Sequence, residues 1–162
     1  LPLTLRAAQE GLRGVILPEE NAREAARAAI KTDSGCEVWA SDIDEEMTDM
    51  TYDCAVRAGV EDVMNIFVAD ARTIEKPDRR GTILCNPPYG ERLMTEAEAA
   101  ELYRAMGKRF AVFEPWQIYV LTSCEQFERL YGRRADKTRK LYNGMIPCNL
   151  YQFFKPPFLH KK

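Results

Sequence analysis

T-I-L-C-N-P-P-Y-G-E-R-L, residues 82–93, decides how the rest of this 162-residue chain is read. Thr82, Ile83, Leu84 and Cys85 show no polar alternation, the pattern of a short strand buried between helices on both faces of a parallel sheet. Pro87 and Pro88 stop it, because each fixes φ, donates nothing to a ladder and pushes the residue before it into extended backbone. Asn86 is thereby held at the carboxyl end of a central strand, where open α/β sheets bind ligands. Its amide oxygen and a neighbouring backbone carbonyl can accept both hydrogens of a planar NH₂ group, and Tyr89 offers a flat face for a base. A plain proline turn accounts for an isolated N-P-P. The apolar strand before it, Tyr89 and the G-E-R-L extension weigh against that reading.

Upstream, E-V-W-A-S at Glu37–Ser41 reads as a strand ending in Asp42. An acid at the end of the second strand of a nucleotide-binding βαβ unit accepts hydrogen bonds from both ribose hydroxyls, and Ile43 beside it offers an apolar face to adenine. Asp44, followed by Glu45 and Glu46, reads as the cap of a helix that closes at Gly59, with Met47, Met50, Cys54 and Ala58 as its core face. A strand at Met64–Ala69 then leads to Asp70. A helix is also read from Pro18 to about Ile30, preceded by one from Leu1 to about Gln9. Downstream come an amphipathic helix at Glu96–Phe110, with Ala99, Leu102, Tyr103, Met106 and Phe110 inward, a strand at Gln117–Thr122 and a short helix at Glu125–Tyr131. The chain ends in a hairpin of Thr138–Tyr142 and Met145–Phe154 around Asn143-Gly144, the dipeptide of a type I′ turn.

The length suits one domain with a real core, and no apolar run reaches membrane-spanning length. Leu1–Leu5 is too short, and lacks a basic lead, for a signal peptide. Five scattered cysteines with no C-x-x-C pair fit reduced thiols in a cytosol and argue against a zinc site. Net charge is −2, which excludes a strongly basic nucleic-acid binder, but residues 1–80 carry −7 and residues 81–162 carry +5. That asymmetry fits either a solvated acidic half or a phosphate-facing second half.

At Asn86–Tyr89 the chain resembles the class I S-adenosylmethionine-dependent amino-methyltransferases, whose signature is (Asn/Asp/Ser)-Pro-Pro-(Tyr/Phe/Trp). N-P-P-Y-G-E-R-L at 86–93, L-Y at 102–103 and K-L-Y-N-G at 140–144 leading to L-Y-Q-F at 150–153 resemble the ribosomal RNA guanine-N2 methyltransferases that carry a THUMP domain, whose relatives are often called adenine-specific DNA methylases. The resemblance implies a Rossmann-like α/β fold, a mostly parallel sheet ending in an antiparallel hairpin. It implies S-adenosylmethionine as cofactor, with Asp42, Ile43, Asp70 and Asn86 as its contacts and Asp70 meeting the adenine amine. Asn86, Pro87, Pro88 and Tyr89 become the catalytic set, and Arg92, Arg139 and Lys140 the contacts to substrate RNA.

One family element is missing. The glycine-rich loop after the first strand, whose N–H groups cradle the methionine end of the cofactor, has no counterpart, since Gly11-Leu12-Arg13-Gly14 follows no strand. The expectation is a single catalytic domain over 1–162 that starts just after that loop, without first strand or THUMP domain. Its sheet then has a gap that a partner chain or separate segment fills. No metal is required, because a sulfonium methyl is already activated and the protein's task is alignment. No general base stands out, and the one histidine, His160, lies in the tail. The leading function is methyl transfer to guanine N2 in 23S ribosomal RNA, in the cytosol. N6 methylation of adenine in DNA or RNA is the alternative within enzymes, and a catalytically silent RNA-binding fragment the alternative outside them.

Overall fold

The computed structural model describes residues 19–30, 35, 37–89 and 94–155; the expected first helix, Arg92 and His160 lie outside these. Two compact units meet at Val38. The first contains helix α1 (Glu19–Ala28). The second holds β1 (Val38–Asp42, starting at the boundary), α2 (Glu45–Ala58), β2 (Met64–Val68), β3 (Thr82–Cys85), α3 (Glu96–Phe110), β4 (Gln117–Thr122), α4 (Phe127–Tyr131), β5 (Lys137–Asn143) and β6 (Ile146–Phe153). Local signals set the helix limits. Asp44 accepts the Glu46 N–H at 2.9 Å, and Gly59, at φ 67°, ends α2 in the left-handed region that costs glycine nothing. Thr95 and Glu98 form a reciprocal capping box at the start of α3.

The strands form two separate ladders, β1–β2 and β3-β4-β6-β5. β3 pairs parallel with β4, and β6 lies antiparallel to both β4 and β5. Among the described residues nothing pairs with the outer edge of β3. On one face of the larger sheet, Ile118 and Val120 of β4 and Tyr151 and Phe153 of β6 are buried against Tyr103, Met106, Phe110, Phe127 and Tyr131. Phe127 stacks on Tyr131 at 5.0 Å and lies 4.9 Å from Tyr151. All four strand residues and all five helix residues fall at the period of their element, so one apolar face meets another.

Three expectations are corrected. β3 is not buried on both faces: Ile83 and Cys85 pack on the core, but Leu84 is 76% exposed, because only one face of this sheet carries helices among the described residues. In α2 the buried residues are Thr48 and Ala55, while Met47, Met50, Cys54 and Ala58 are exposed. The helix is turned by one residue, about 100°, from the expected face; resting on a two-stranded ribbon, it buries a narrow stripe of small side chains. The hairpin turn is shifted too. Asn143 pairs with Ile146, which makes Gly144 and Met145 the two central residues. Gly144 has φ 62° and no non-glycine residue among those described has positive φ, the pattern of type II′ with glycine first. A turn centred on Asn143-Gly144 requires positive φ at the asparagine, which here stays in the strand instead.

The end of β6 is clasped by Asp136, whose carboxylate is 2% exposed. It accepts the N–H groups of Phe154 (2.8 Å) and Lys155 (2.9 Å) and lies 3.6 Å from Arg133, whose guanidinium also stands 5.4 Å from the Phe153 ring. Burial alone raises the acid's pKa, but the two backbone donors and Arg133 outweigh it and hold the carboxyl below the usual range. A depressed pKa stabilises the fold above the unfolded value of about 3.9 and loses that contribution as pH falls through the folded value. Melting of the wild type is therefore expected to steepen below about pH 4, and Asp136→Asn to lose much of that acid sensitivity. Thermal melts between pH 2.5 and 7 check this; parallel curves for both proteins refute it. No helix among the described residues is long and apolar enough to cross a membrane.

Candidate active site

Asn86 follows β3 directly and is exposed, whereas Pro87 is buried and Pro88 and Tyr89 are partly buried. The prolines anchor the segment while the amide faces outward. The anchor has a polar part. The Tyr103 hydroxyl, on a residue with no exposed surface, donates to the Pro88 carbonyl at 2.8 Å and lies 3.1 Å from Thr122 Oγ1. Burial pushes the Tyr103 pKa up to about 12, so it remains a donor at all ordinary pH. Tyr103→Phe strips the Pro88 carbonyl of this partner and is expected to cost about 1–3 kcal/mol in stability. It should also lower turnover, since Asn86 loses its fixed direction. Urea melts beside single-turnover rates test this, and unchanged turnover at reduced stability assigns Tyr103 to the core alone.

The Tyr89 hydroxyl donates to Asn86 Oδ1 and accepts from Asn143 Nδ2 at 3.4 Å. Burial raises the Tyr89 pKa, with the Asn143 hydrogen bond acting in the opposite direction, and Cys148 lies close by, 3% exposed. The hairpin of β5 and β6 thus reaches the N-P-P-Y segment. Reading the sequence as a turn at Asn143-Gly144 hid this, because a turn residue has no assigned face. The strand register gives it one.

The carboxyl ends of β1 and β2 are joined by the Ala69 N–H donating to the Asp42 carbonyl at 2.8 Å. Asp42 Oδ1 accepts the Asp44 N–H at 3.0 Å, its second oxygen accepts nothing among the described residues, and Ile43 is 63% exposed. Asp70 is differently engaged. Arg72 Nε reaches its two oxygens at 2.9 and 2.8 Å, and Arg72 Nη2 lies 2.5 Å from Oδ2. The Arg72 side-chain hydrogen bonds, aided by its backbone N–H and charge, hold Asp70 below the usual carboxylate range. Any adenine contact at Asp70 therefore shares this carboxylate with Arg72. Ala71, next to Asp70, and Cys85, next to Asn86, pack against the same core. Arg139 and Lys140 are exposed on neighbouring positions of β5, hence on opposite faces, and their register partners are Leu150 and Asn149. No cluster of metal-ligating side chains occurs among the described residues.

The model of the RMKL-like methyltransferase domain family matches residues 4–152. The chain belongs to that family. A Bacillus subtilis protein named "Putative RNA methyltransferase YpsC" is 38% identical over 72% of this chain and 30% of its own length. Ribosomal RNA large subunit methyltransferase K/L of Shewanella loihica is 37% identical over 78% of this chain and 18% of its own length. The chain thus spans less than a third of these curated relatives. Among solved structures, SMU.472, "a putative methyltransferase complexed with SAH", superposes with a TM-score of 0.79 at 33% identity, covering 87% of this chain and 38% of that one. The methyltransferase domain has the Rossmann-like class I fold, with the closing antiparallel hairpin in place.

Proposed function

We propose that this domain transfers a methyl group from S-adenosylmethionine to an exocyclic amine of a nucleobase in RNA, specifically guanine N2 in 23S ribosomal RNA. The observation that carries the reading is the exposed Asn86 amide, held by two anchored prolines at the carboxyl end of β3. Family membership and relatives named as RNA methyltransferases support it.

The residues present fit the cofactor. Asp42 keeps one carboxylate oxygen for ribose hydroxyls, Ile43 offers an apolar face to adenine, and Asp70 contributes through the Arg72-bound carboxylate. When bound, the cofactor supplies an electrophilic sulfonium methyl. The chain's part is to make the amine a nucleophile. A nucleobase amine is weak because its lone pair is delocalised into the ring. Asn86 Oδ1 and the Pro87 carbonyl accept its two hydrogens, which favours the localised lone pair as charge develops, and Tyr89 stacks on the base drawn out of the RNA. Arg139 and Lys140 meet phosphates at the edge, as Arg92 does by the same reading. The outer edge of β3, with Leu84 beside it, takes a further parallel strand from a neighbouring segment or a partner chain. The reaction belongs in the cytosol.

Titration calorimetry of residues 1–162 with S-adenosylmethionine, beside a version carrying the strand and glycine loop of a relative upstream, tests the reading. Binding is expected to depend on the added segment and to weaken about tenfold or more in Asp42→Ala, which deletes a charge-assisted contact from the free carboxylate oxygen. Binding by neither version, with RNA binding intact, would leave an RNA-binding module instead.

A further inference from the structure

Asn143 belongs to the K-L-Y-N-G stretch, of which the function above uses only Lys140. The structure places its amide one phenolic oxygen away from the Asn86 amide: Asn143 Nδ2 donates to Tyr89 Oη at 3.4 Å, and Tyr89 Oη donates to Asn86 Oδ1. The polarity of this row is set by its members. A hydroxyl has a single proton, and Tyr89 gives it to Asn86, so the group it meets on the other side must be a donor. Asn143 therefore presents its NH₂ to Tyr89. Its Oδ1 accepts nothing among the described residues and is the polar atom it has left to offer a ligand. Tyr89 stays a neutral phenol, because burial raises its pKa, so the row does not reverse near neutral pH.

An acceptor beside the amine site distinguishes bases by what flanks their amine. Guanine N2 has the N1–H donor on one side. Adenine N6 has N1 and N7 on its two sides, both acceptors, and cytosine N4 has the acceptor N3. A carbonyl-type oxygen at that place is paired by guanine and opposed by lone pairs in adenine and cytosine. We propose that Asn143 is the specificity-determining residue of this domain, its Oδ1 accepting the N1–H of the target guanine while Asn86 holds the amine. The inference rests on the proposed methyl transfer and assigns to one side chain the choice between guanine N2 and adenine N6.

The hairpin geometry supports this. Asn143 pairs with Ile146 as the last residue of β5, and the following turn is made by Gly144 and Met145. Its backbone is thereby extended and hydrogen-bonded, not turning, so the side chain has a fixed face. That face is shared with Leu141 and its partner Cys148, and Cys148 is buried beside Tyr89. The turn residue Met145, 94% exposed, and Tyr142, 76% exposed, are packed on nothing comparable. At the hairpin end, Asn143 is tied to the N-P-P-Y segment by its hydrogen bond to Tyr89.

The test uses the full-length protein, S-adenosylmethionine and unmodified large-subunit ribosomal RNA made by transcription, with N2-methylguanosine and N6-methyladenosine counted by nucleoside mass spectrometry. The wild type is expected to form the guanine product in large excess. Asn143→Ala should lower the guanine-to-adenine product ratio by about 10- to 100-fold, since one reading hydrogen bond is lost. Asn143→Asp keeps an acceptor but loses the N–H that Asn143 donates to Tyr89, so its rate should fall while its ratio stays above that of Asn143→Ala. A merely structural role moves both variants the same way. An unchanged ratio in Asn143→Ala, or a wild type that forms chiefly the adenine product, overturns the assignment of Asn143 alone. A wild type that methylates no RNA, though it binds the cofactor, overturns the function on which the assignment rests.

Discussion

Asn86→Ala is expected to lower kcat/KM for RNA methylation by about 10²- to 10³-fold, the loss found when one preorganised acceptor or donor is removed from a developing charge. The larger part should fall in kcat. Asn86 Oδ1 has two lone pairs: one takes the Tyr89 proton, and the other is left for the substrate amine. The substitution removes an interaction that strengthens as the amine nitrogen turns pyramidal, so transition-state binding suffers more than ground-state binding. It removes no packing, because Asn86 is exposed, and the melting curve should hardly move. Asn86→Asp separates geometry from charge: an acceptor remains, and a smaller loss than in Asn86→Ala is expected. Single-turnover assays with each variant decide the matter. A kcat unchanged in Asn86→Ala would remove the residue from the chemistry.

The second large effect concerns stability. A Cβ built on Gly107 of α3 falls 1.9 Å from the Tyr131 carbonyl oxygen and 2.8 Å from its carbon. Both are backbone atoms at the end of α4, so no side chain can swing aside. At Gly107 the two helices come into close contact, and Phe127, Tyr131 and Tyr103 belong to the cluster between them. Gly107→Ala must push α4 away from α3 and open the stacked aromatics. We expect a loss of about 3 kcal/mol, the upper end for overpacking, and a fall in Tm of roughly 10 °C. A loss below about 1 kcal/mol in urea melts would mean that the helices separate freely. Helix propensity alone favours alanine over glycine, so the expected sign reverses what α3 would show in isolation.

Where the chain's own punctuation is strong, the elements were legible. Asp44 and Gly59 delimit α2, the amphipathic run at 96–110 became α3, and the apolar runs at 64–68, 82–85 and 117–122 became strands. Burial was harder to read. Period alone could not say which stripe of α2 would face its ribbon, since Met47 and Thr48 differ by one step round the helix and nothing local ranks the tertiary alternatives. The Asn143-Gly144 dipeptide misled for a related reason. Its type I′ preference is real but weaker than the pairing of eight residues of β6 with their partners, which fixed the register and moved the turn one place on. In the site, Asn86 and Tyr89 announced themselves by chemistry next to proline. Tyr103 and Asn143, distant in sequence and ordinary in type, were visible only once the fold had brought them to Pro88 and Tyr89.

The division of the strands into two ladders bears on how this domain comes apart. Asp42 and Asp70 stand on one ladder, Asn86 on the other, and the chain links them through the connection of residues 69–81, where Arg109 Nε meets the Ile74 carbonyl at 2.6 Å and Lys76 meets the Glu114 carbonyl at 2.8 Å. A small molecule that touches both ladders does the work of a missing ladder bond. Amide hydrogens of β1 and β2 should then exchange through a shallower opening than those of β4 and β6 when the site is empty. With the ligand in place, the two sets should converge on one cooperative unit.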